Sequence, residues 1–265
     1  MIRSTQRVQF TGYASHRLSG ILELPLGSPQ GFFLFSHCFT CGKDLKAIVR
    51  ISRGLADKGW GVLRYDFSGL GNSEGDFSQT NFTTNREDLR AAAVFLDREF
   101  QTADFLIGHS FGGAASLSMV MELPKVRGVI ALASPSDTHH LASLLERMSP
   151  SIVSNGEGSV SIGGRNHQIK LQMLVDFRSH NLPATVKLIT KPILAFHSPT
   201  DETVSFQNAL VNCGLDSTSQ PDRRNQRSLI SLPNCNHLFT SRDEDLVMVT
   251  DISDAWCRRI MAVTP

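Results

Sequence analysis

The sequence contains no long hydrophobic run. Phe32-Phe33-Leu34-Phe35 is far shorter than the about 20 apolar residues a membrane-spanning helix needs. Met1-Ile2-Arg3-Ser4-Thr5-Gln6-Arg7 lacks the apolar core of a signal peptide. The expectation is therefore a cytoplasmic chain with no membrane partner. Excess charge is missing too: the net charge is +1, far from the basic footprint of a nucleic-acid binder. The glycine-rich stretch Ser68-Gly69-Leu70-Gly71-Asn72-Ser73-Glu74-Gly75 has neither Gly-x-Gly-x-x-Gly nor a Gly-Lys-Ser/Thr ending, so it reads as a turn, not a phosphate cradle. Cysteines number five, an odd count, which without a secretion signal predicts reduced thiols. Only one Cys-x-x-Cys occurs and no His-x-x-x-His, so no zinc pattern is complete. No metal and no cofactor is expected. Internal repeats and low-complexity tracts are also missing.

What is present is a rhythm. A chain of 265 residues with 41% hydrophobic content suits a single α/β domain. Val8-Gln9-Phe10 and Leu18-Ser19-Gly20-Ile21-Leu22-Glu23-Leu24 alternate in part, as an antiparallel edge with one wet face does. Phe32-Phe33-Leu34-Phe35 is continuous, as in a central parallel strand. Helix is expected over residues 43–58, strand over 62–67, helix over 83–100, strand over 103–107, helix from 114, and strand over 126–133. This alternation predicts a mostly parallel central sheet with helices on both faces.

The rhythm breaks after residue 134. Leu141, Leu144, Leu145 and Met148 keep helical spacing, a hairpin is expected around Gly163-Gly164, and a helix over residues 170–180. Long excursions in compact domains usually carry function, so residues 135–185 are expected to form a small inserted lid. Strands then return at 192–197 and 227–232, with helices at 205–213 and 243–261.

Gly108-His109-Ser110-Phe111-Gly112-Gly113 sits between an expected strand and an expected helix. A Gly-x-Ser-x-Gly in that setting lifts the serine on a strained turn over the sheet edge, with free N–H groups of the new helix beside it. A serine hydroxyl needs a base, and the base needs a carboxylate to orient it. Both belong past later strand ends, in the order Ser, Asp or Glu, His. Ser110, Asp201 and His237 satisfy this order. Asp137, which follows the strand after the serine, is the rival acid; Asp66 precedes the serine and is expected to bond loop amides. His37, His109 and His197 are held within motif turns or a strand, and His16, His139, His140, His167 and His180 lie near the N-terminus or in the insertion. An oxyanion needs two N–H donors: Phe111, next after the serine, and Phe39, or else Cys38, in the loop after the early central strand.

The set Ser36-His37-Cys38-Phe39-Thr40-Cys41-Gly42-Lys43-Asp44-Leu45, Asp66-Phe67-Ser68-Gly69-Leu70-Gly71-Asn72-Ser73-Glu74-Gly75, Gly108-His109-Ser110-Phe111-Gly112-Gly113 and His197-Ser198-Pro199-Thr200-Asp201-Glu202-Thr203-Val204 resembles the α/β-hydrolase superfamily. Over nearly its whole length the chain is similar to the hydrolase half of bifunctional α/β-hydrolase/OsmC-family proteins. The resemblance implies an α/β-hydrolase fold and a serine esterase. A small apolar lid makes a pocket of limited depth, so the expected substrate is a small-molecule ester of short to medium acyl chain, with thioesters, lactones and amides within reach of the same machinery. No OsmC-like segment follows residue 265, so no peroxidase role is expected. His37-Cys38 stands where many family members have His-Gly. The competing class is a Cys-x-x-Cys thiol oxidoreductase, or a redox-regulated binding protein, built on Cys38 and Cys41.

Overall fold

The computed structural model describes residues 3–216 and 226–263. Two strands open the chain, β1 (Ser4–Thr11) and β2 (Arg17–Leu24), paired antiparallel from Ser4↔Leu24 to Thr11↔Arg17. Their outer face is wet, as their partial alternation requires. The central strands follow: β3 (Phe32–Ser36), β4 (Gly61–Tyr65), β5 (Phe105–His109), β6 (Gly128–Leu132), β9 (Ile193–His197) and β10 (Arg227–Ser231). Between β6 and β9 lies a separate hairpin, β7 (Glu157–Ile162) and β8 (Arg165–Lys170). The main sheet runs β1-β2-β4-β3-β5-β6-β9-β10, and from β4 to β10 every pairing is parallel.

Helices cover both faces, which is why the central strands are apolar without alternation. In β3, Phe32 and Leu34 enter the core under α2 (Phe82–Glu99) and α3 (Phe111–Met119), while Phe33 and Phe35 enter the core under α1 (Lys46–Asp57) and α9 (Asp243–Val263). Helix α2 starts on a capping box: Asn81 accepts from Thr84 N–H, and the Thr84 hydroxyl accepts from Asn81 N–H. Helix α1 begins three residues later than residue 43, where sequence periodicity would start it. The Lys43 N–H and ammonium both donate to Asp66, at 2.7 and 2.6 Å, and hold residues 43–45 out of the helix.

The insertion after β6 comprises α4 (His139–Met148), α5 (Ser151–Ser154), the β7–β8 hairpin, α6 (Leu171–Ser179) and α7 (Leu182–Lys187). The hairpin turns on Gly163 and Gly164, at φ 58° and 75°, the two positive values that a two-residue turn of this hand requires. Asn181 caps α7 through Ala184 N–H, a start signal that the sequence periodicity alone did not reveal. Helix α8 (Gln207–Cys213) links β9 to β10. Among the described residues no helix is long and apolar enough to cross a membrane.

Candidate active site

Ser110 joins β5 to α3 at φ 52°, ψ −119°, a conformation that costs a non-glycine residue of order 1–3 kcal/mol. It is held there by its N–H to Leu132 O (2.8 Å) and by its carbonyl, which accepts from Gly113 and Ala114 N–H. A side chain at Gly112 would place Cβ 2.4 Å from the carbonyl oxygens of both Ser36 and His37, so only glycine lets α3 close onto the end of β3. Phe111 is the first residue of α3, and its N–H has no acceptor within the helix.

Loops after β9 and β10 bring two further side chains to this turn. His237 Nε2 lies 3.0 Å from Ser110 Oγ, and His237 Nδ1 lies 2.8 Å from Asp201 Oδ2. A carboxylate can only accept, so Nδ1 carries the proton and Nε2 presents a lone pair to the hydroxyl. The other Asp201 oxygen accepts from Thr203 and Val204 N–H, at 2.8 and 2.9 Å. Burial would raise the Asp201 pKa, but the hydrogen bonds from His237 and Val204, the His237 charge and the Thr203 bond outweigh it, so the carboxyl sits below its ordinary range. Ser110 is 8% exposed and Asp201 9%, so this chain of bonds is shielded from bulk water.

Rivals go elsewhere. Asp137 Oδ1 accepts from His140 N–H at the start of α4. Asp66 binds Lys43 and the Asn72 N–H, the loop-bonding task expected of it. His139 bonds the His180 carbonyl, and His180 faces Asp176 and Thr83.

The loop after β3 carries Phe39 against the elbow, its ring 5.5 Å from that of Phe111. No described group accepts from the Phe39 N–H. Thr40 follows at φ 58°, so this loop too is strained beside the serine. Cys38 and Cys41 are joined in a disulfide, which corrects the expectation of reduced thiols for this pair. The cause is the turn itself: Cys41 N–H donates to Cys38 O, bringing the two Cα atoms to 5.2 Å. Because α1 starts only at Lys46, Cys41 lies outside its first turn. Cys213, Cys235 and Cys257 are free and buried; burial pushes the first two up to about 12 and the third well above its usual value. None of these three is a ready thiolate.

Sequence reasoning missed the insertion's contribution. Phe177 of α6 reaches the elbow, 5.1 Å from the Phe111 ring and 6.1 Å from Phe39. Phe77 packs on Phe39, and Phe82 on Phe111, at 5.5 and 5.3 Å. These rings form an apolar cluster where the insertion packs against the elbow helix and the loop after β3. Its phenylalanines lie far apart along the chain, and no local pattern marks them.

A sheet parallel from β4 to β10 with a strained serine between β5 and α3 defines the α/β hydrolases. A family profile described as serine aminopeptidase, S33, matches residues 28–159, elbow included. The esterase domain of a Rhodothermus marinus protein is 36% identical, with 97% of this chain and 98% of that one aligned at a TM-score of 0.75. Rat mitochondrial palmitoyl-protein thioesterase ABHD10 (Rattus norvegicus) is 26% identical over 175 residues, 64% of this chain and 57% of the rat protein. Est1E of Butyrivibrio proteoclasticus, solved with ferulic acid, shares the fold at a TM-score of 0.80 and 19% identity, covering 96% of this chain and all of that one. The aligned stretches span 40 to 63% of the lengths of the curated relatives. This chain belongs to the α/β-hydrolase family, among its serine esterase-type members.

Proposed function

We propose that the protein is a serine hydrolase that cleaves carboxylic esters of short to medium acyl chain through an acyl-Ser110 intermediate. The observation that carries this reading is the continuous hydrogen-bonded chain Ser110–His237–Asp201, at 3.0 and 2.8 Å. His237 Nε2 takes the hydroxyl proton as Oγ attacks the ester carbonyl, and returns it to the departing alcohol. Asp201 holds the imidazole in the required tautomer and stabilises the imidazolium that forms. The N–H groups of Phe111 and Phe39 stabilise the tetrahedral oxyanion. Water then repeats the attack on the acyl-enzyme, with His237 as base, and frees the acid.

The preference for a short or medium acyl chain is supported by the packing of Phe39, Phe77, Phe111 and Phe177 on one another, which fills the junction between the insertion and the elbow with aromatic side chains. On this reading residues 1–265 are one domain, and the insertion acts as the lid over the acyl site. A thioester is the second reading, favoured by the similarity to the rat palmitoyl-protein thioesterase; it needs the same attack by Ser110, with the acyl C–S bond broken in place of C–O and a thiol leaving in place of an alcohol. An ester and thioester panel graded by chain length tests the proposal. Turnover that peaks at short to medium acyl groups supports it, and a clear preference for long-chain lipid emulsions overturns the substrate assignment.

A further inference from the structure

Three histidines end up buried at the serine end of the sheet without belonging to the proposed triad. Each bonds a backbone carbonyl of a different site loop. His37, just past β3, bonds Cys38 O through Nδ1 at 2.8 Å and accepts from Phe67 N–H through Nε2. His197, the last residue of β9, bonds Val204 O at 2.8 Å, in the turn that holds Asp201. His109, the last residue of β5, bonds the carbonyl oxygen of His237 itself at 2.7 Å.

We propose that His109 is a positioning residue: its Nε2–H, donated to the His237 carbonyl, fixes the base at the distance from Ser110 that proton transfer requires. This rests on the triad reading above.

The geometry carries the argument. A carbonyl only accepts, so His109 must carry its proton on Nε2. Its Nδ1 is buried and has no hydrogen-bond partner among the described residues, and so is left as a bare lone pair. The ring lies 5.2 Å from the His237 ring and edge-on to Phe239 at 5.7 Å, so it has little room to turn. The segment it grips is a loop rather than a helix or strand: Phe239 N–H closes it onto Asn236 O and Thr240 N–H onto Asn236 Oδ1, bonds internal to the loop, whereas the His109 bond reaches it from β5. A single bond from the rigid elbow strand therefore ties nucleophile and base to one frame. The charged and titratable groups facing His109 are His237, Asp201 and His37. Burial first, then the charge of His237, holds the His109 pKa down to about 3, so the ring stays neutral and adds no cation beside the imidazolium formed during turnover.

The test compares wild type with His109→Phe, His109→Asn, His109→Gln and Ser110→Ala. The readouts are kcat and KM on p-nitrophenyl butyrate and the downfield proton resonance of the His237 Nδ1–H bonded to Asp201. Phenylalanine keeps the ring volume and removes the donor; glutamine puts an amide N–H near the lost Nε2; asparagine is too short to reach. His109→Phe and His109→Asn should lower kcat by about 10–100-fold at nearly constant KM and broaden or shift the resonance, as expected for a base displaced by a fraction of an ångström. His109→Gln should recover most of the loss. If His109→Phe fails to fold, the Gln and Asn pair carries the test, and equal turnover by those two overturns the proposal. An unchanged resonance and wild-type kcat in His109→Phe overturn it as well. An inactive Ser110→Ala alongside an unaffected His109→Phe removes only the positioning role. An active Ser110→Ala removes the triad reading and this inference together.

Discussion

Ser110 Oγ and His237 Nε2 lie 3.0 Å apart although 127 residues separate them in the chain. Strand β5 delivers the first and the loop after β10 the second, from strands that are three positions apart in the sheet. Parallel strands place all such loops at one edge, so the fold itself creates the meeting point.

The acid can be assigned by a paired substitution. Asp201→Asn keeps the shape but favours the wrong imidazole tautomer, and should lower kcat by about 10⁴. Asp137→Asn leaves the proposed triad untouched and should turn over at close to the wild-type rate. Asp137→Ala, which removes the bond to His140 N–H, should lose about 0.5–2 kcal/mol of stability. A large kcat loss in Asp137→Asn with none in Asp201→Asn would reverse the assignment.

Acid should destabilise the protein earlier than its carboxylates alone would. In the unfolded chain each histidine protonates near pH 6.5, whereas burial holds the pKa of His109 down to about 3 and lowers those of His37 and His197. Between those values unfolding takes up protons, so stability is full above about pH 6.5 and falls as the pH falls, by about 1.4 kcal/mol per pH unit for each fully discriminated histidine. His37 adds a structural reason, since a protonated Nε2 cannot accept from Phe67 N–H. Denaturant unfolding from pH 7 to pH 4 reads this slope; a flat profile across that range would contradict it.

Removing the Cys38–Cys41 bridge should weaken the enzyme without stopping it. Neither sulfur takes part in the proposed chemistry, but together they bracket Phe39 and the strained Thr40. Cys38→Ser/Cys41→Ser should lose at most the about 10²–10³ in kcat that one oxyanion donor supplies. The double variant should also respond less than wild type to thiol reductants, which open the bridge in the wild type. Turnover abolished as fully as in Ser110→Ala, with the fold intact by circular dichroism, would point to thiol chemistry instead.

Local signals make much of this fold legible in the amino-acid sequence. The apolar run of Phe32 to Phe35, the glycines around Ser110 and the paired glycines of the hairpin each constrain their own few residues, and each lies where those constraints put it. Distant partners leave no such mark. Lys43 reads as helix until Asp66 claims its N–H and ammonium. Phe177 reads as one more apolar position of α6 until it meets Phe111. His109 looks like motif filler because the carbonyl it bonds lies 128 residues away. Spacing along a chain encodes helix faces and turns, whereas a bond across the sheet edge depends on topology.

Trapping the acyl-enzyme tests the central proposal most directly. Wild type and Ser110→Ala are mixed with p-nitrophenyl butyrate, quenched in acid within one turnover, digested, and analysed by mass spectrometry. An acyl-serine mechanism requires a butyryl group on Ser110 in the wild type, no adduct in Ser110→Ala, and turnover in that variant lower by about 10⁵–10⁶. A butyryl group on a cysteine, or Ser110→Ala hydrolysing the ester at close to the wild-type rate, would contradict it.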